Sequence, residues 1–314
     1  MLKLAAYRLI MTVPLLFAVA TAAFFLSGLS SIDPARLALG PEATVEAVQA
    51  KRVEMGIDGP LVNQYGKWLN GAVRGDLGAS VYNQAPVATS IRQGLPITLS
   101  LTFGGLVVGL GLGLTAGIFS ALRAGRTADR AIGTFVVLGQ AIPGFWLALL
   151  LAFVFAIRLR WFPATGYIGP TTSIDGWLRT ILLPSFSIGI VSAASIARQT
   201  RSAMIGVLQQ EYIRAALARG LSRRSVVLKH ALKNAAAPIV TVVSFQVTAL
   251  LGGSIVVERL FNLRGLGSIA IDGVLRRDPN VIQGVVVCTV VAIVLMNVVL
   301  DMTYTWLNPK VRPA

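Results

Sequence analysis

Apolar runs broken by short polar stretches set the pattern of this chain. Six of them, at about 9–29, 98–120, 132–157, 180–200, 236–257 and 283–306, approach the roughly 20 residues that carry a helix across a bilayer. Backbone polar groups in hydrocarbon must bond within their own helix. The pattern therefore predicts an all-α integral membrane protein with six transmembrane helices. It divides the chain into a first span (1–30), an insert (31–96) and a five-helix core (97–314), which holds a polar segment at 201–236.

Polar positions inside the runs qualify this picture. Gly105, Gly109, Gly113 and Gly117 recur every four residues in the second run. Each costs a helix about 1 kcal/mol relative to Ala, which close helix–helix approach offsets. In the third run Gln140 precedes Pro143 and Gly144, so a kinked helix is expected there. The fourth carries Ser185, Ser192 and Ser195, the fifth Gln246 and the Gly252–Gly253 pair, and the sixth Asn297 and Asp301 on one face. An unpaired amide in hydrocarbon costs several kcal/mol. Gln140, Ser192, Gln246 and Asn297 are accordingly expected to face a translocation path or partner helices.

Between the runs, Thr44 is placed to cap a helix stopped at Gly56, and Pro60 to open a second helix with Leu61, Tyr65, Trp68 and Leu69 on one side. Gly75-Asp76-Leu77-Gly78 reads as a turn, and 163–176 and 258–282 read as loops.

Composition supports the membrane assignment: 55% of the 314 residues are hydrophobic and 13% charged, against roughly 25% charged in soluble domains. The net charge of +15 raises nucleic acid as a partner until the charges are placed. With the N-terminus in the cytoplasm, the inner segments hold 15 Lys and Arg against Asp129 and Glu211, and the outer segments 13 against ten acids. This asymmetry follows the positive-inside rule and makes the basicity topological, with membrane lipid rather than nucleic acid as its partner. Lys3 and Arg8 precede a run too long for a signal core, so the first run reads as a retained anchor. One cysteine, Cys288, excludes an intrachain disulfide framework.

The most informative polar stretch is Gln210–Ile239, where Arg214, Arg219, Arg223, Arg224, Lys229 and Lys233 face one acid, Glu211. A short helix over 211–219, with Tyr212, Ala215, Ala216 and Arg219 on one face, should stop at Gly220. Ser222 should cap a second helix running to about Ala236. Arg223 and Arg224 then sit at a helix N-terminus, where an exposed cation is disfavoured by about 0.3–1 kcal/mol. Acidic partners on another subunit would relieve that.

The stretch resembles the alanine-glycine coupling motif of ATP-binding-cassette (ABC) importer permeases, which is Glu-Ala-Ala, three residues, then Gly. Arg214 stands in the Glu position before Ala215, Ala216 and Gly220, and Leu232-Lys233 replaces the downstream Leu-Pro. Permeases of the dipeptide, oligopeptide and nickel importers are similar along nearly the whole chain. The likeness includes Asp33-Pro34, the Gly75–Gly78 turn, Pro143-Gly144-Phe145-Trp146, Tyr212-Ile213-Arg214, Ala218-Arg219-Gly220-Leu221 and His230-Ala231-Leu232-Lys233-Asn234. Glu258 with Gly265-Leu266-Gly267, Gln283-Gly284 and Asn308-Pro309-Lys310-Val311-Arg312 complete it.

The resemblance implies the type I ABC importer permease fold, in a bacterial or archaeal cytoplasmic membrane, with both termini cytoplasmic. It implies a second permease subunit, usually a different chain, two ATPases that carry ATP and Mg, and an extracytoplasmic substrate-binding protein. Tyr212, Arg214, Ala215, Ala216, Arg219, Gly220, Leu221, Arg223 and Arg224 would form the ATPase-coupling element of a chain that is itself non-catalytic and cofactor-free. The chain has no Gly-x-x-x-x-Gly-Lys-Ser/Thr phosphate loop. It also lacks the intramembrane series of acids and histidines that a secondary transporter often uses. Di- or oligopeptides, nickel or another small solute are the substrates in view. The spans contain no His, Cys or Met ligand cluster, which favours peptides.

Overall fold

A computed structural model describes residues 2–28, 33–40 and 42–307. The 308–312 run and the side chains of Lys3, Arg8 and Asp301 lie outside the described residues. In chain order the helices are α1 (Leu2–Gly28), α2 (Pro34–Leu39), α3 (Val45–Met55), α4 (Leu61–Val73), α5 (Val87–Leu122), α6 (Thr127–Ala141) and α7 (Gly144–Leu151). They continue with α8 (Ile174–Leu208), α9 (Glu211–Ala218), α10 (Arg223–Ser225), α11 (Leu232–Leu260), α12 (Leu266–Leu275) and α13 (Pro279–Leu307). Two π-helical stretches, Ala152–Arg158 and Val226–Ala231, extend α7 and join α10 to α11.

Among the described residues five helices are long and apolar enough to cross a membrane, and a sixth span results if α6 and α7 are one broken span. The expected kink over 132–157 is instead a 96° break. Pro143 has no N–H to continue α6, and its ring drives Ile142 out of the helical region, to φ −82° and ψ 122°. Two further differences concern helix length. The arm expected to end at Ala236 runs unbroken from Arg223 to Leu260, with Pro238 inside it. The expected loop 258–282 contains α12, and Glu258 belongs to α11, where it is buried and accepts from Ser254 Oγ at 3.2 Å.

The chain forms two compact units. Among the described residues, one comprises 2–5, 99–263 and 295–307. Its centre is α8, packed by α6, α7 and α11. The α5 glycines lie against α8 so closely that a Cβ at Gly113 would stand 2.7 Å from Ile196 Cβ, and one at Gly117 would stand 2.6 Å from the Ala197 carbonyl oxygen. The stripe is therefore a packing surface.

The other unit comprises 6–98 and 264–294. Its core gathers Val87, Ile91, Leu266 and Val285, and the Leu266 N–H donates to Thr98 Oγ1 at 2.8 Å. Thr44 Oγ1 caps α3 by accepting from the Ala47 N–H, and Gly56 ends it at φ +68°. Tyr65 and Trp68 of α4 pack on Phe24 of α1, and Tyr65 shares a 2.6 Å hydrogen bond with Thr21. The Gly75–Gly78 turn closes where the Gly78 N–H donates to Asp76 Oδ1 at 2.9 Å.

Candidate functional site

The basic elbow begins where α8 ends at Leu208 and the extended residue Gln210 (φ −70°, ψ 146°) redirects the chain into α9. After α9, the Gly220 N–H donates to the Leu217 carbonyl at 3.0 Å and the Leu221 N–H to the Ala216 carbonyl at 3.3 Å. This is the paired closure of a Schellman motif, and Gly220 adopts φ +81° to make it. Nothing crowds a Cβ at that position, so the glycine is required by the backbone rather than by space. Ser222 Oγ then accepts from the Ser225 N–H at 3.4 Å and opens α10.

Packing gives the elbow two different sides. Its inner side packs on the π-helical turn Val226–Ala231, where Ile213, Val226 and Val227 are buried. Its outer side leaves Tyr212, Arg214, Ala215, Arg219, Gly220, Arg223 and Arg224 exposed, with Ala216 and Leu221 half-buried. Among the described residues no carboxylate forms an ion pair with any of these four arginines. Ile213 is the residue that the sequence reading named in the family likeness but did not assign to the coupling element. Its signal was a single β-branched apolar side chain in a run of Arg, Ala and Tyr.

About two turns of α8 before the elbow, Arg201 is paired. Its Nε and Nη2 donate to the two carboxylate oxygens of Asp129 at 2.6 and 2.7 Å. The same carboxylate accepts from Ser120 Oγ and from the Gly125 N–H. Sequence reasoning counted both charges without joining them, because 72 residues separate the partners.

Three of the four predicted polar residues, Gln140, Ser192 and Gln246, make hydrogen bonds between helices of the unit built on α8. Ser192 Oγ donates to Gln246 Oε1 at 3.0 Å, joining α8 to α11. Gln140 Nε2, next to the α6–α7 break, donates to Ser195 Oγ at 3.3 Å. Asn297 Oδ1 on α13 is buried and has no hydrogen-bond partner among the described residues. The structure thus brings Ser192 and Gln246 together, and links Gln140 and Asn297 to neither.

Residues 113–313, which hold the elbow, the broken helix and all four polar positions, match the model of the binding-protein-dependent transport system inner membrane component. Residues 1–102 match the N-terminal model of the same membrane components. The chain belongs to this permease family. Among the permease's relatives is a glutathione transport system permease protein of Escherichia coli O6:H1, 40% identical over 312 residues and covering 99% of each chain. Another, named a peptide transport system permease protein in Brucella abortus, is 37% identical over 305 residues and covers 97% of each chain. The permease also resembles a chain of the MetNI methionine ABC transporter solved in inward-facing conformations, with TM-score 0.57 and 20% identity over 70% of this chain and 97% of that one. Its fold is that of ABC importer permeases.

Proposed function

We propose that this permease forms half of the membrane path of an ATP-driven importer for di- and oligopeptides, and that the elbow is its handle for a cytoplasmic ATPase. The observation that carries the reading is the elbow's two-sidedness. Ile213 holds α9 to its own chain, while four exposed arginines and a small-residue surface at Ala215 and Ala216 are left outward. Arg223 and Arg224 crowd the positive end of a 38-residue helix, and acidic groups on a partner would offset that arrangement. In this reading the elbow and both termini are cytoplasmic, which the charge asymmetry supports.

The remaining machinery lies in other chains. Two ATPases bind ATP and Mg, an extracytoplasmic binding protein delivers the substrate, and a second, different permease chain completes the path. The present chain binds no cofactor and catalyses nothing. Gln140, Ser192, Gln246 and Asn297 are the polar positions that face the path or partner helices in its half. The names of the relatives, peptide and glutathione permeases, support a peptide cargo.

The test is reconstitution of the full complex in proteoliposomes with labelled di- and tripeptides. Uptake should require ATP and the binding protein. Ala216→Trp, or Arg223→Glu with Arg224→Glu, should release the ATPase in co-purification. ATP-independent uptake by the isolated chain would overturn the reading, and uptake of nickel but not peptides would replace the cargo.

A further inference from the structure

We infer that Asp129 and Arg201 are positioning residues for energy coupling, forming a clamp that makes the α5–α6 turn move with the end of α8 that feeds the elbow. This rests on the elbow being the ATPase handle. The geometry begins with a line of contacts along α5 and α8. At Gly113 and Gly117 the two backbones approach too closely for a Cβ, against Ile196 and then against Ala197 and Thr200. One turn further toward the elbow the line continues through Ser120, Asp129 and Arg201. Ser120 belongs to α5, Asp129 to the first turn of α6 and Arg201 to α8, so one carboxylate joins three helices.

Every acceptor direction of that carboxylate is used. Each oxygen takes one nitrogen of the Arg201 fork, one takes the Ser120 hydroxyl, and the other takes the Gly125 N–H at 2.8 Å. A planar guanidinium bound through two nitrogens fixes orientation as well as distance. Asp129 is 5% exposed, so water offers it little alternative. Gly125, at φ +80°, lets the turn bend back onto the carboxylate.

Helix α6 already packs along α8, and at the elbow end of that packing the clamp adds the ion pair that joins α6 to α8 and, through Ser120, to α5. With it, a displacement entering α8 from α9 also reaches the first turn of α6. That helix leads directly to the break at Ile142 and Pro143. The clamp therefore ties the entry point of the movement to the sharply broken α6–α7 span.

The test uses the complete reconstituted transporter. Asp129→Asn and Arg201→Gln should leave the ATPases bound and hydrolysing, while transport per ATP hydrolysed falls about tenfold, within the usual range of coupling between sites. The double variant should be no worse than either single one. Ser120→Ala, which removes one bond of the carboxylate, is the milder variant should the charged changes impair assembly. A second measurement is independent of transport. In a Cys288→Ser background, spin labels at Ala124 and Ser202 should keep one distance with and without ATP in the otherwise native protein, and acquire a nucleotide-dependent distance in Asp129→Asn. An unchanged transport-to-hydrolysis ratio in assembled Asp129→Asn, or a label distance that already changes with ATP in the native sequence, would overturn the clamp. Failure of the ATPases to bind the native chain at all would instead overturn the elbow reading.

Discussion

Ser192 and Gln246 satisfy each other: the serine hydroxyl of α8 donates at 3.0 Å to the amide oxygen of α11. The two are not equivalent. Ser192 is buried, whereas Gln246 is half-exposed and its amide nitrogen has no hydrogen-bond partner among the described residues. Ser192→Ala should therefore act on stability, by about 0.6–1.7 kcal/mol as for interhelical bonds in membranes, and leave the peptide concentration dependence of uptake unchanged. Gln246→Ala should alter that concentration dependence, because it removes a donor with capacity to spare. Thermal unfolding in detergent and uptake at graded peptide concentrations separate the two outcomes.

The glycines of α5 make a second contrast. A methyl group at Gly117 would stand 2.6 Å from the Ala197 carbonyl oxygen, and backbone cannot swing aside as a side chain can. Gly117→Ala should cost about 1–3 kcal/mol as an overpacked contact. Gly111, a helical glycine of the same span, has nothing within 4 Å of its Cβ position. Gly111→Ala should be neutral or stabilise by up to about 1 kcal/mol through helix propensity. Parallel melting curves of the two variants check the pair.

Acid should loosen the insert in a defined way. Burial pushes the Asp33 carboxyl up, but the Arg52 guanidinium at 2.7 Å and the Ala35 N–H outweigh it, so the group titrates below the ordinary value of 3.8. A carboxylate with a lowered pKa contributes stability that is present above its unfolded value and lost as pH falls through its folded one. Hydrogen-exchange protection across α2 and α3 should thus stay level from neutral pH to about 5 and decline below the ordinary Asp range. Because Arg52 is 44% exposed, the effect is screened and modest. Asp33→Asn should remove this pH dependence, which exchange measured at pH 3 and pH 6 would show.

What could be read from the sequence followed from what each feature depends on. Thr44, Gly56 and Gly220 act on the backbone within a few residues, and each performs the expected cap or stop. The long apolar runs, likewise a local signal, mark the long helices. The break after Ala141 was legible as a position, since Pro143 alone removes the bond. Its 96° angle was not, because direction depends on how α7 packs on α8. The α12 helix was hidden because its burial depends on Val87 and Ile91, far away in sequence. The end expected near Ala236 is absent, and the helix continues through Pro238. Of the site, the exposed arginines were legible as an unbalanced charge run, whereas the Asp129–Arg201 pair required a tertiary contact.

The elbow's inner anchor gives the last prediction. Ile213 is 2% exposed, while Leu217 on the same short helix is 46% exposed. A helix of eight residues has little stability of its own in water, where isolated helices shorter than about 12–15 residues are marginal. The Ile213 contact must therefore hold α9 in shape. Burying an isoleucine in a protein interior and then truncating it to alanine costs about 2–5 kcal/mol, and α9 has few other buried contacts over which to spread that loss. Ile213→Ala should accordingly release α9 locally without unfolding the transmembrane helices. Trypsin would then cut faster after Arg214 and Arg219, and ATPase association would weaken although every arginine on the outer side is intact. Leu217→Ala should change neither the cleavage rate nor the unfolding temperature. Equal cleavage rates for the two variants would show that α9 is held by something other than its buried isoleucine.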